Sequence, residues 1–348
     1  MSAKAYRRKL DIKNGRVDLS HGAGGRAMVQ LIADIFHDAL DNEWLKRGND
    51  QAAFDVAGGR MVMTTDGYVV SPLFFPGGDI GSLAVNGTIN DIAMAGAQPL
   101  YLSASFILEE GFALTELKRI ADSMGAAARS AGVPVIAGDT KVVERGKADG
   151  VFISTTGIGI VPAGLDLSAE KARSGDRVVL SGSIGDHGVA ILSKRQNLSF
   201  ETELVSDSAP LHGLVAAIVQ AGGHDLRVMR DPTRGGLAAT LNELAQQSEV
   251  GFRLSEAAVP VKAEVAAACE LLGLDPLYVA NEGKLVAIVA PESSETVLAA
   301  MRAHPLGRDA AIIGEAVHDD QRFVQMTTGF GGGRIVDWLS GEQLPRIC

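Results

Sequence analysis

Val133-Pro134-Val135-Ile136-Ala137-Gly138-Asp139-Thr140-Lys141, residues 133–141, is the stretch on which the reading of the fold turns. The run Val133–Ala137 predicts a strand, and Gly138-Asp139-Thr140-Lys141 predicts the turn into which it runs. Upstream, residues 115–131 predict a helix stopped by Gly132 and Pro134. Downstream, the β-branched stretch Val151–Val161 predicts a central strand. Further upstream, residues 26–40 carry Met28, Leu31, Ile32, Ile35, Phe36, Ala39 and Leu40 at helical spacing. Met61–Thr65 predicts a strand ending at Asp66-Gly67. Residues 82–95 predict a helix rich in small residues, with Ser82 placed to cap it. Pro162 to Asp176 is polar and loop-like and marks a domain boundary. Beyond it the same style returns: strand Val178–Leu180, helices 188–194, 210–221 and 235–247, strand Lys284–Ala290, helix 293–303 and strand Ala310–Ile313. Alternation in both halves predicts an α/β or α+β protein of two domains.

Composition narrows the function classes. The 348 residues are 46% hydrophobic, as in a folded globular protein. Net charge is −10, from 32 basic and 42 acidic residues. That sign argues against nucleic acid as a partner, because such binding rests on Lys and Arg. A nucleotide stays open if a divalent cation carries the positive charge. No apolar run reaches the length of a membrane span, so no membrane role is expected. Arg7, Arg8 and Lys9 are followed by no apolar segment of the secretory kind. Two distant cysteines, Cys269 and Cys348, make no disulfide framework, and a reducing cytoplasm is the expected compartment.

Carboxylates beside glycines form the first chemical pattern. Asp66 precedes Gly67, Asp79 closes Pro76-Gly77-Gly78-Asp79, Asp139 follows Gly138, and Asp231 opens Asp231-Pro232-Thr233-Arg234-Gly235-Gly236. Mg²⁺ takes a few carboxylates plus substrate phosphates, and this distribution supplies them. Turn and cap roles account for most of them taken singly; Asp231-Pro232 also reads as an N-cap with proline at N1. Asp91, after Asn90 inside an apolar helix, is different, because a charge there needs a partner or a metal. His21-Gly22-Ala23-Gly24-Gly25-Arg26 leads into a helix and suits phosphate. It matches a dinucleotide fingerprint only weakly, and no Walker-type loop is present. Lys141 and Glu282 are candidates for proton transfer near a phosphate, with solvated surface charge as the plain alternative. Asp186-His187-Gly188 reads as a structural polar turn, and Cys269 as a small buried hydrophobe in a helix. The chain finishes at Pro345-Arg346-Ile347-Cys348 behind Gly331-Gly332-Gly333. As a hinge those glycines would give Cys348 a reach of roughly 50 Å; the alternative is a frayed end.

Taken together, Pro345-Arg346-Ile347-Cys348, His21–Arg26, Phe74-Phe75-Pro76-Gly77-Gly78, Gly138-Asp139-Thr140-Lys141-Val142-Val143 and Ala280-Asn281-Glu282-Gly283-Lys284 resemble the HypE family. These are carbamoyl dehydratases of NiFe-hydrogenase maturation, in the superfamily of aminoimidazole ribonucleotide (AIR) synthetase and selenophosphate synthetase. The likeness runs from about residue 17 to residue 348. It implies an N-terminal arm with glycine loop and helix over 1–40. It implies AIR synthetase-like domains over 41–162 and 163–330, the first pairing its strands across a homodimer, and a flexible tail over 331–348. It implies ATP with Mg²⁺ as cofactors, ATP lying between the domains. Asp66, Asp91, Asp231 and Asp79 would hold the metal, with Asp139 next. Gly24, Gly25, Gly138, Asp139, Thr140 and Asn90 would contact nucleotide. The thiol of Cys348 would carry a carbamoyl group placed by HypF. ATP-dependent dehydration, with Glu282 or Lys141 as base, would leave a thiocyanate, and the cyanide would pass to iron on HypC–HypD. The alternatives are another ATP-using synthetase of the superfamily, or a non-catalytic thiol carrier.

Overall fold

The computed structural model describes residues 10–22, 26–46, 54, 56, 58–197, 204–338 and 346–348. In the N-terminal half, α1 (Arg26–Leu31) continues into a π-helical stretch, Ile32–His37, and then the short α2 (Glu43–Lys46). Next come β1 (Arg60–Tyr68), a hairpin of β2 (Phe74–Phe75) and β3 (Gly78–Asp79), α3 (Ile80–Met94) and β4 (Gln98–Glu109). α4 (Leu114–Ala131), β5 (Val135–Val143) and β6 (Val151–Val161) complete this half. The sheet order is β1-β6-β4-β5; β4 and β5 are parallel, joined by α4, and the other pairs are antiparallel.

Alternation sets the faces of this sheet. On β4, Leu102, Ala104, Phe106 and Leu108 are buried, while Ser103, Ser105 and Ile107 point the other way. The buried set shares a core with Leu83 and Ile89 of α3 and Leu117, Ile120 and Met124 of α4. Gly132, at φ +68°, closes α4 in the left-handed conformation that glycine adopts without strain. The opposite face keeps large apolar side chains in solvent, Met63 at 73% exposure among them.

Two expectations about strand ends are corrected. β1 runs on through Asp66-Gly67, and β5 runs through Gly138-Asp139-Thr140-Lys141 instead of turning there. Both segments keep ladder partners throughout, Asp66 opposite Thr155 and Thr140 beside Phe106. Pairing to a neighbour outweighs the weak local turn preference of Gly and Asp.

The C-terminal half contains β7 (Arg177–Leu180), α5 (Asp186–Arg195), α6 (His212–Gly222), β8 (Leu226–Arg230), α7 (Gly236–Ser248) and β9 (Gly251–Ser255). α8 (Ala263–Leu272), β10 (Val286–Val289), α9 (Pro291–Ala303), β11 (Ala311–Val317), β12 (Val324–Thr327) and β13 (Gly333–Ile335) follow. Among the described residues they build one sheet in the order β13-β12-β9-β11-β7-β10-β8. It is covered on both faces. Val178, Leu180 and Ile288 pack with Leu237 and Leu241 of α7, while Val179, Ala287 and Val289 pack with Leu214 of α6 and Val297 of α9. Covering both faces explains why β7 and β10 are unbroken apolar runs instead of alternating ones.

The expected hinge is also corrected. Gly331 (φ +82°) lies in a turn, the Thr328 N–H donates to the Gly332 carbonyl, and Gly333–Ile335 pairs with β12. Val336 is buried in the C-terminal core. Residues 331–338 are therefore held against the C-terminal half instead of serving as a hinge.

Candidate active site

Two aspartates named from the sequence, Asp91 and Asp231, arrive from different elements at one cleft, and the charge of a third, Asp66, acts on both. Asp66 points to the helix-covered side of β1. Asp91 sits on the fourth turn of α3 and accepts from the Thr64 hydroxyl at 2.9 Å. Asp231 follows the last residue of β8. Asp91 and Asp231 line a cleft of about 590 Å³ between the two halves, together with Thr64, Arg230, Thr233 and Arg234. Burial raises the Asp91 carboxyl, with Asp66 adding to the effect. Burial and the charges of Asp91 and Asp66 push Asp231 up to about 7.

Glu282 completes the acidic group. It is 4% exposed, and among the described residues its Oε1 finds no hydrogen-bond partner. Burial, then the charges of Asp231, Asp207, Asp66 and Asp91, raises its carboxyl far above the usual carboxylate range. Its backbone is fixed from several sides. The buried Asp207 carboxylate accepts from the Glu282 and Gly283 N–H groups at 3.1 and 3.2 Å and from Lys284 Nζ at 3.1 Å. A Cβ at Gly283 would lie 1.8 Å from the Asp207 carbonyl, so this turn requires glycine. Asn281 ties the turn to its surroundings, accepting from Gly185 N–H at 2.7 Å and donating to the Pro232 carbonyl at 2.9 Å. Asn90, expected at the nucleotide, instead spans the two halves. Its Nδ2 donates to the Glu282 and Ala209 carbonyls, both at 3.1 Å, and its Oδ1 accepts from Leu211 N–H at 2.7 Å.

Other expected site residues lie elsewhere. Asp79 is the N-cap of α3, accepting from Gly81 and Ser82 N–H, while the Ser82 hydroxyl accepts from Asp79 N–H. That capping box occupies the carboxylate and gives Ser82 the N3 position, not the cap. Gly138 and Thr140 share the inner face of β5 with Ala104 and Phe106 and line an apolar cavity of about 160 Å³ that includes Met28 and Phe36. Asp139 and Lys141 form an exposed ion pair at 2.8 Å. Register places that pair with Ser105 and Ile107, on the opposite face of the sheet from Asp66. β1 and β5 are also opposite edges. Lys141 is therefore not brought to Glu282 within one chain. Gly24 and Gly25 lie outside the described residues.

The end of the chain is seated in this site. Ile347 is 2% exposed within the N-terminal core, and Cys348 packs against the same core. Val69 N–H donates to the Cys348 carbonyl at 3.0 Å, and Ser71 N–H to the Arg346 carbonyl at 3.1 Å. Arg346 donates to the Val69 carbonyl at 3.0 Å and pairs with Asp149. The Cys348 thiol is pushed up to about 12, by burial first and then by the charge of Glu282; Arg234 opposes and Asp66 adds. His187, read from the sequence as part of a structural turn, lies fully buried in the first turn of α5 and bonds the Ile347 carbonyl. Arg195, Val69 and Ser71 carry no motif signal that would have found them.

A hard divalent cation fits what these groups lack. Asp66, Asp91, Asp231 and Glu282 repel one another, and among the described residues Glu282 keeps an orphaned oxygen. Among the described residues no three His, Cys, Asp or Glu stand close enough to hold a metal unaided. One or two carboxylates completed by phosphate oxygens is the usual Mg²⁺ arrangement, so the donor set suits a metal–nucleotide complex better than a bare ion.

Comparisons with known proteins agree in kind. Residues 48–161 match the AIR synthase related protein N-terminal domain, and residues 173–327 its C-terminal domain. Carbamoyl dehydratase HypE of Bradyrhizobium diazoefficiens is 79% identical over 345 residues, covering 99% of this chain and 100% of the relative. A crystal structure of hydrogenase maturation protein HypE in complex with ATP is 50% identical, with TM-score 0.91, covering 95% of this chain and 99% of that one. A crystal structure of a HypE–HypF complex matches at 48% identity and TM-score 0.78, covering 89% of this chain and 99% of that one.

Proposed function

The chain belongs to the AIR synthase related family and, within it, to the HypE carbamoyl dehydratases of hydrogenase maturation; from that membership we propose that it dehydrates a carbamoyl group carried on its own Cys348. The observation that carries this reading is the seat of Cys348, where the charges of Glu282, Asp66 and Arg234 all act on its thiol. A thiol carrier that only docks elsewhere has no use for a buried carboxyl whose charge acts on its cargo thiol.

The chemistry follows from the cargo, S–C(=O)–NH₂. Its oxygen is a poor leaving group, and bound Mg·ATP would supply the phosphoryl group and charge neutralisation that make it a good one. The carbonyl oxygen departs with phosphate, and both N–H protons must be taken up to leave S–C≡N. Glu282 is the group placed to take one of them, while the other leaves on the phosphate that carries off the oxygen, so that the products are the thiocyanate, ADP, hydrogen phosphate and one proton on the carboxylate. Burial and its acidic neighbours favour its protonated form, and a cation that balances the cluster would make it an effective base. Asp91, Asp231 and Asp66 would hold the metal, and Arg230 and Arg234 would face the phosphates. The apolar cavity bordered by Gly138 and Thr140 would take the purine. Lys141, paired with Asp139 on the far face, has no part in this intrachain site.

Several wider expectations are supported by the same membership. HypF would load the thiol, and a HypC–HypD complex would receive the cyanide, in the cytoplasm. A second copy would cover the solvated apolar face around Met61, Met63 and Ile107. The test is intact-mass spectrometry of the carbamoylated protein given ATP. Cys348 should lose the mass of one water, Cys348→Ala should bind ATP but never change mass, and Glu282→Gln should slow the step by about 100-fold or more. ATP turnover with no mass change on Cys348 would overturn the reading.

A further inference from the structure

We propose that α5 is the clamp that seats the cargo-bearing end of the chain, with His187 and Arg195 as positioning residues for Cys348. His187, Ile191 and Arg195 are spaced four residues apart and share one helix face. Ile191 packs in the same core as Ile347. His187 Nε2 lies 2.8 Å from the Ile347 carbonyl, and its Nδ1 lies 2.8 Å from the Ser206 hydroxyl. A carbonyl only accepts, so Nε2 carries the hydrogen, and Nδ1 accepts from Ser206. Ser206 Oγ accepts in turn from Ser208 N–H at 3.1 Å. The ring is thus held in one tautomer, aimed at the tail. Two turns on, Arg195 Nη2 donates to the Arg346 carbonyl at 2.8 Å, and the same guanidinium donates to the Ser71 carbonyl at 2.9 and 2.6 Å.

Every carbonyl of residues 346–348 is therefore engaged, two of them by α5 and the third by Val69 N–H. These contacts read the main chain and leave the thiol free to carry different groups. Burial adds to their weight: the Ile347 carbonyl and the His187 ring are both shut away from water, so neither finds a substitute partner when the other is removed. The inference rests on the reading that Cys348 carries the cargo, but the clamp itself is measurable without ATP or a carbamoyl group.

The experiment is iodoacetamide labelling of the full-length protein, with the Cys348 peptide followed by mass spectrometry and melting curves recorded alongside. His187→Phe keeps the ring and removes the donor; it should speed Cys348 alkylation by about tenfold or more, the range for a buried carbonyl left unpaired. His187→Gln restores an N–H donor and should return the rate to within about threefold of the wild type. A His187→Phe rate equal to wild type, or a His187→Gln rate equal to His187→Phe, would overturn the proposal. Should the Phe variant fail to fold, Arg195→Gln decides by the same measure: faster labelling supports the clamp, and an unchanged rate overturns it.

Discussion

Replacing Asn90 with alanine tests whether the two halves are held in register by one buried amide. The side chain is 1% exposed and makes three hydrogen bonds, at 3.1, 3.1 and 2.7 Å, all to residues of the C-terminal half. Truncation leaves the Glu282 and Ala209 carbonyls and the Leu211 N–H without it. Each buried, unpaired group costs about 1–3 kcal/mol, and because the three share one cavity the sum is nearer ~3–5 kcal/mol than the full total. At about 2–4 °C per kcal/mol for large cooperative units, the melting temperature should fall by roughly 10 °C. Asn86→Ala is the internal comparison. It lies one turn earlier on α3 and donates once, to Ser208 Oγ at 3.1 Å, so it should cost about 1 kcal/mol. Calorimetry and urea unfolding of both variants check the difference. Equal losses, or an Asn90→Ala cost below about 1 kcal/mol, would mean that water replaces the amide and that the strut does not exist.

Asp79→Ala should cost about 1–2 kcal/mol through loss of the α3 capping box and leave Mg·ATP affinity unchanged in calorimetry; a tenfold fall in affinity would return Asp79 to the metal. The seating of Cys348 should depend on pH. An unseated thiol titrates near 8.5 and the seated one at about 12. The raised value means that seating is at full strength below about pH 8.5 and weakens about tenfold per unit up to about 12. Alkylation of Cys348 should accordingly keep rising well above pH 9, and a plateau there would refute the burial argument. Lys141→Ala should leave the single-turnover dehydration rate of monomeric protein within about twofold; a loss of 100-fold would place it in the site.

The fold class was legible because the C-terminal sheet is buried on both faces, so that runs such as Val286–Val289 announce themselves. Gly-Asp pairs misled in a consistent way. Asp66-Gly67 and Gly138-Asp139 look like punctuation, yet each sits inside a paired strand. Only the register shows that Thr140 and Lys141, adjacent in sequence, belong to opposite faces. The central strand β4 was not read at all, although its alternation from Leu102 to Leu108 is regular. Asp91 was legible because a charge in an apolar helix demands an explanation. Asp207 and Arg195 were not, since their value lies in long-range partners that no local pattern encodes.

The seated tail touches both halves at once: Val69 and Ser71 belong to the N-terminal sheet region, and His187 and Arg195 to the C-terminal helix α5. It is thus a bolt thrown across the seam on which the acidic cleft opens. Linkage makes the effect reciprocal, since whatever free energy the closed seam lends to seating, seating returns to the seam. A cargo that fits the pocket poorly therefore loosens the whole molecule by the same amount that it is disfavoured, so the chemical state of one sulfur is written into the rigidity of both domains.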